Sequence, residues 1–374
     1  MTPQKRASKL YRCACILTVL FVAASASFQG FYQKWHFREP GVPGGAGERA
    51  GDTFDFVHVL NGTADRPYVF RQLLPATVTW IDAALPQSAR NWYFDKYGYS
   101  IHELDSTFIS PISKDPAYFL RYQLFYYLDF FFAWLAAFAM YRVCRAVDIP
   151  TVQSVLASVA TILVLPFMMS NGGYYYDYPE LAFLALAVWM AIKCDWWWMI
   201  PVVALGAWNK ESFLLVVLSL YPILRSRTSR RNALLGTAVL ALTSVAVYLY
   251  LRTIYAHNPG GTVLIKWQIW IGFLMHPQKL FLTETTYGIK IFKVFSPIPI
   301  LLLVWTVIRG WPRLPIAIRR HGIIAAAINF PLFFLFCSPG EMRDLSLLYI
   351  VLLLLFAVNM SSSTVAKIPA PAPV

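Results

Sequence analysis

Apolar runs recur from one end of the chain to the other, several of them near the roughly 20 residues needed to cross the hydrocarbon core of a bilayer. The first centres on residues 16–28, behind Lys5, Arg6, Lys9 and Arg12, and reads as a retained signal anchor. Ala24-Ser25-Ala26 also resembles a signal-peptide cleavage site, and either reading puts the following segment outside. Another run starts near Tyr118 and ends at Arg142 and Arg145. Further runs cover about 151–168, 179–193, 232–252, 294–308 and 322–337, with a last one after Asp344. Two shorter pieces, 196–208 and 212–224, break at Asn209-Lys210-Glu211. Read as one helix, they would reverse the sidedness of everything downstream; read as two legs, they preserve it.

This pattern predicts an all-α integral membrane protein of about ten transmembrane helices, forming one polytopic unit over residues 1–374 with both termini cytoplasmic. Two long polar stretches interrupt it. Residues 31–116 form the first extracytoplasmic loop and residues 253–293 the second. Within the first, residues 41–51 are a Gly- and Pro-rich loop, whereas 68–85 has helix-like spacing. That segment predicts an amphipathic helix lying in the interface and interrupted near Pro75. Trp267 and Trp270 suit a second interfacial helix in the other loop.

Charge supports this orientation. The predicted inner segments hold sixteen Lys and Arg against two acids, Asp148 and Asp195, as expected of a cytoplasmic face. Sixteen of the nineteen carboxylates fall on the other side or at its rim, which makes that face the candidate working surface. Asp129 alone falls within a span, where an acid should face the interior and find a partner. A hydrophobic fraction of 58%, with 14% charged residues and a mean hydropathy of +0.52, excludes an ordinary soluble domain. The net charge of +13 lies in short loops between spans, so it speaks for topology and against nucleic acid. The five cysteines show neither metal-ligand spacing nor a disulfide framework.

Five outer constellations carry candidate chemistry. Asp52, Asp55 and His58 share a face if their segment is helical. A carboxylate there can act as a general base, or the group can hold a divalent metal, or these are surface acids of a solvated loop. Tyr68 and Arg71 lie on the interfacial helix, where a guanidinium fork can hold a lipid phosphate or simply reach the headgroups. Tyr176 and Asp177 belong to an aromatic run ending at Glu180, read either as a sugar-stacking surface or as interfacial belt and helix cap. Lys210 and Glu211 form a charged break that favours a polar cavity. Glu341 and Arg343 open the last span, either closing the same cavity or capping a helix.

An acid-bearing first outer loop followed by an amphipathic outer helix resembles the layout of the membrane-embedded glycosyltransferases of the GT-C superfamily. The acid of Asp55 followed by Tyr68-x-x-Arg71-x-x-x-Pro75 resembles a pattern in bacterial polytopic proteins of this architecture. Tyr176-Asp177-Tyr178-Pro179, Asn209-Lys210-Glu211 and Glu341-Met342-Arg343 resemble their later short motifs. The resemblance implies sugar transfer from a polyprenyl-phosphate-linked donor, on the outer side of a bacterial inner membrane, to an envelope glycan or glycolipid. Asp52 or Asp55 would be the base, and basic residues would hold the lipid phosphate. The metal question stays open. The residues also admit a transporter or flippase for a lipid-linked sugar, or a non-catalytic subunit of an envelope glycan assembly complex.

Overall fold

A computed structural model describes residues 3–35, 56–98, 115–169, 172–194, 196–261, 265–293 and 295–361. Helix dominates it, and six helical segments are long and apolar enough to cross a membrane: Leu10–Tyr32, Phe119–Ala146, Thr151–Met168, Arg230–Ile254, Ile316–Phe336 and Met342–Asn359. The chain has the architecture of a helical membrane protein.

The described helices run in order as α1 (Pro3–Tyr32), α2 (Phe56–Leu60), α3 (Leu73–Ala84), α4 (Gln87–Tyr97), α5 (Phe119–Ala146) and α6 (Thr151–Val164). They continue as α7 (Asp177–Lys193), α8 (Trp196–Asn209), α9 (Phe213–Arg227), α10 (Arg230–Ile254) and α11 (Trp267–Leu274). A hairpin of β1 (Thr283–Thr286) and β2 (Ile289–Phe292) precedes α12 (Pro297–Gly310), α13 (Ile316–Phe336) and α14 (Tyr349–Asn359).

Helices α5 and α7 form the most extensive pair. Ala133, Ala136, Ala137 and Ala139 on one and Ala182, Ala185 and Ala187 on the other are fully buried. Small side chains let two backbones approach closely where lipid removes most of the hydrophobic drive for helix association. Ser27 of α1 ties three helices together: its hydroxyl donates to the Ile162 carbonyl and lies 2.7 Å from the Tyr178 hydroxyl.

A helix occurs at each of the ten predicted positions, but α7, α8, α9 and α12 have 17, 14, 15 and 14 residues. At about 1.5 Å per residue, all four reach less than the ~30 Å hydrocarbon core. The segment from α8 to α9 does turn back on itself. Asn209 at the end of α8 bonds the Tyr176 carbonyl at the start of α7, while Trp196 at its other end packs on Gly236, near the start of α10. Helix α9 then descends beside α13, where the Ser219 carbonyl meets His321 Nδ1 at 2.8 Å.

Other boundaries differ from the sequence reading. The break in 68–85 falls at Arg71 and Gln72, between a 3-10 turn (Tyr68–Phe70) and α3, and not at Pro75. Pro75 sits in the first turn of α3, where its missing N–H costs no helical bond. Helix α13 starts at Ile316, so Arg319 and Arg320 belong to its first turns and not to a loop. The second polar stretch contains the expected interfacial α11, but also the unexpected hairpin. Tyr287 and Gly288 at its tip have φ of 56° and 74°, the positive pair that suits a two-residue hairpin turn. The tip docks by Tyr287, which donates to the Leu163 carbonyl and lies against Gly30.

The α8–α9 turn has almost no slack. A Cβ placed on Gly206 would lie 2.8 Å from the ring of the fully buried Phe213. Gly206→Ala should therefore cost about 1–3 kcal/mol by overpacking. The unfolding midpoint in detergent should fall, and Gly206→Ala/Phe213→Leu should recover part of the loss. Equal midpoints for Gly206→Ala and wild type would remove this contact as a constraint.

Candidate functional site

The ends of α7, α8, α9 and α13 meet the 3-10 turn Tyr68–Phe70 and a second 3-10 segment, Met342–Leu348, around a cavity of about 290 Å3. This volume is near the lower end of the ~300–1,000 Å3 typical of small-molecule sites.

Charges at the cavity are paired in a network. Arg71 grips Glu211 with two bonds, Nε to Oε2 at 3.2 Å and Nη2 to Oε1 at 2.7 Å. Lys210 bridges Glu180 and Asp344, each at 2.8 Å. Glu180 is 2% exposed and its other oxygen accepts from Ser212 and Ser346. Arg343 is 4% exposed, donates to the Gly172 carbonyl at 2.8 Å and lies 3.4 Å from Glu341. It is also 3.7 Å from both Asp177 and Asp344. Lys266, set beside α13 by a backbone bond to the Leu335 carbonyl, reaches Glu341 at 3.0 Å.

Aromatic faces cover two of these cations. The Tyr68, Tyr174 and Tyr176 rings lie nearly parallel, with centroids 6.3 Å and then 5.2 Å apart. The Arg71 guanidinium sits 4.1 Å from the Tyr176 ring centre, and that of Arg343 4.2 Å from Tyr174. Such stacking holds a guanidinium flat and adds to its ion pair. The Tyr175 hydroxyl points the other way and donates to the Arg71 carbonyl, fixing the backbone that carries the guanidinium.

Burial pushes the Tyr174, Tyr175 and Tyr176 hydroxyls up, so they are proton donors at neutral pH. For Glu211, burial acts upward but the charge and hydrogen bonds of Arg71 outweigh it, leaving the carboxyl below its ordinary value. Glu211 therefore stays ionised at neutral pH and, so paired, is a poor proton acceptor.

No protein-family model, curated protein or solved structure matches this chain.

Of the residues singled out from sequence, Tyr68, Arg71, Tyr176, Lys210, Glu211, Glu341 and Arg343 line one cavity. Asp177 lies just behind it: one oxygen accepts from the Tyr174 backbone, and the same oxygen is the one nearest Arg343. His58 sits in α2, outside the lining. Asp52 and Asp55 lie outside the described residues. Asp129 is fully buried, but neither of its oxygens has a hydrogen-bond partner among the described residues, contrary to the expected pairing.

The geometry adds Asp344, Glu180, Lys266, Ser212 and Ser346, whose roles appear only through their partners. Glu180 and Asp344 were visible as acids flanking apolar runs; nothing local marked them as the two supports of Lys210. Cys337, Glu341 and Asp344 also bring one ligand atom each within 4.8 Å of one another. Lys210, Lys266 and Arg343 already hold those carboxylates, so a divalent cation would enter against three positive charges. The donor set fits an ion-pair network better than a metal centre.

Two outcomes follow. Lys210→Met leaves Glu180 and Asp344 without their shared cation, and losing one partner of a buried pair costs about 3–5 kcal/mol. The unfolding midpoint of the solubilised protein should drop by several degrees, and Lys210→Met/Glu180→Gln should restore part of it. A variant as stable as wild type would remove this bridge from the forces holding the site. For Glu211 the sign is that of a depressed carboxylate: its stabilisation is present above the unfolded value of about 4.3 and fades as pH falls through the lower folded value. The midpoint gap between wild type and Glu211→Gln should be flat from about pH 8 to pH 5 and shrink below about pH 4.3. A gap that shrinks towards alkaline pH would contradict the assignment.

Proposed function

We propose that this chain is a GT-C-type glycosyltransferase of the bacterial inner membrane, with about ten crossings and the cavity on the extracytoplasmic side. It moves a sugar from a polyprenyl-phosphate-linked donor to an envelope glycan or glycolipid in polysaccharide biosynthesis. The observation that carries this reading is the meeting, in one small cavity, of stacked tyrosines with Arg71, Arg343 and Lys210. A flat aromatic surface suits a sugar face, and clustered guanidinium and ammonium groups suit a phosphate.

In this reading Asp52 or Asp55 removes the proton of the acceptor hydroxyl. The oxygen bonds to the anomeric carbon as the bond from that carbon to the phosphate oxygen breaks, and the lipid phosphate leaves with the electron pair. Pro67 and Tyr68, which follow the acidic stretch in sequence, line the cavity. Arg71 spends Nε and Nη2 on Glu211, and its Nη1 has no protein acceptor among the described residues. That nitrogen is available to a phosphate oxygen, in an environment organised before the reaction begins.

One observation favours a second reading. Unpartnered Asp129, buried inside a span, is the kind of group that serves a transporter, here a flippase for a lipid-linked sugar.

The test compares cells lacking the chain with cells producing wild type, Asp52→Asn, Asp55→Asn or Arg71→Lys, with insertion checked in each. One Asn variant should accumulate the lipid-linked sugar that the deletion accumulates, and Arg71→Lys, which keeps the charge but loses the fork, should slow transfer roughly tenfold. In sealed right-side-out vesicles, the accumulated sugar should be open to membrane-impermeant periodate. Sugar protected from periodate would favour the flippase, and normal glycan in all three variants would overturn the transferase.

A further inference from the structure

The pair α9 and α13 carries a second concavity at the end opposite the cavity. Ser212, Leu215 and Phe333 of this pair face the cavity, whereas the second groove, about 520 Å3, lies between Arg225 on α9 and Arg320 on α13. The thirteen steps from Ser212 to Arg225 correspond to about 20 Å along a helix.

The two ends treat positive charge in opposite ways. Every cation lining the cavity is bonded to a carboxylate. Among the described residues no acid lines the groove: Arg225 donates through Nη1 to the Thr228 carbonyl, and the Arg320 side chain makes no ion pair or hydrogen bond. Arg227 and Arg319, the flanking arginines, also keep buried guanidinium nitrogens without acceptors among the described residues. The walls are apolar, and Ile316 and Ile323 are 60% and 58% exposed, as side chains facing acyl chains would be.

We propose that this groove binds an anionic membrane phospholipid, its phosphate held between Arg225 and Arg320 and its acyl chains lying along Ile316 and Ile323. Two guanidinium forks converge on one acidic headgroup, and the uncompensated charge supplies the complementarity that the protein itself leaves unmet. Arginines that serve only to orient the chain need proximity to the membrane surface and no groove. The proposal rests on the membrane reading of the chain and is independent of the transferase reading.

The full-length protein, incorporated into nanodiscs of phosphatidylcholine containing a minor fraction of phosphatidylglycerol, is released and analysed by native mass spectrometry. Wild type should retain phosphatidylglycerol in preference to phosphatidylcholine. Arg225→Gln/Arg320→Gln should lose this preference by roughly tenfold or more, at about fivefold per arginine near a membrane surface. Ile323→Trp, which fills the groove and keeps both charges, should lose it as well. Both arginines are exposed, so the double variant should fold, and an unchanged unfolding midpoint in a neutral detergent checks this. Equal retention of the two lipids by wild type would overturn the proposal. So would full retention by the double variant, or by Ile323→Trp, which would leave only diffuse surface charge. Displacement of the lipid by millimolar inorganic phosphate as readily as by phosphatidylglycerol would also overturn it, by showing a site for the free anion.

Discussion

A charge removed from water must find its opposite, and at one end of this bundle that requirement sets the arrangement of the chain. Lys210 sits in the turn between α8 and α9, Glu180 in the first turn of α7, and Asp344 in the 3-10 segment before α14. Bringing two carboxylates to 2.8 Å from one ammonium fixes where three stretches of backbone begin and end. The cost of a buried ion left unpaired is several kcal/mol, a large fraction of the net stability of a fold. Ion pairs here act less as a source of stability than as a requirement on register.

The same requirement explains how the site can be rigid without being closed. Arg71 and Arg343 are each held on two sides, by carboxylates and by tyrosine faces. Side chains fixed in this way undergo little reorganisation when a negative charge develops nearby, which is the condition under which fixed dipoles and charges are most effective. At the opposite end of α9 and α13 the arginines face an apolar groove in which no acid stands among the described residues. One helix pair thus presents a neutralised, sculpted site at one end and an unneutralised one at the other, and the two call for ligands of different kinds.

Much of this was legible in the sequence because polar residues stand out against apolar runs. Tyr68, Arg71, Tyr176, Lys210, Glu211, Glu341 and Arg343 were singled out for that reason and share one cavity. The two-legged reading around Asn209 followed from the charge on either side of it, and the turn between α8 and α9 has that form. What remained hidden depends on partners distant in the chain. Lys266 reads as an ordinary loop lysine until Glu341, 75 positions away, is placed beside it. The hairpin was hidden because its four-residue strands give too little alternation to see, although Tyr287-Gly288 was an available turn signal. Helix α13 begins before its apolar run because Arg319 and Arg320 fit on a helix whose end lies at the membrane surface, so charge alone does not mark where it starts. Asp129 was expected to find a partner, and no local pattern distinguishes an acid that does from one that does not.

Around the cavity the backbone departs from α-helix repeatedly, among other places at residues 172–176, the turn 210–212, and the 3-10 segment Met342–Leu348 with its kink at Leu345. Away from water, such breaks are tolerated only where the freed N–H and carbonyl groups are satisfied or face a polar space. Two asparagines meet that need by standing in for missing backbone partners. Asn209 donates to the Tyr176 carbonyl, while Asn329 both donates to the Asp344 carbonyl and accepts from the Leu347 N–H. Each leaves an adjacent acidic or basic side chain free to turn inward: Asp177 and Lys210 beside the first, Asp344 beside the second. Interrupting the helices is therefore what lets this fold direct charge into its interior, because an unbroken helix would have kept the same residues on its flank. The short lengths of α8 and α9 follow from the same need, since each must stop where the cavity begins.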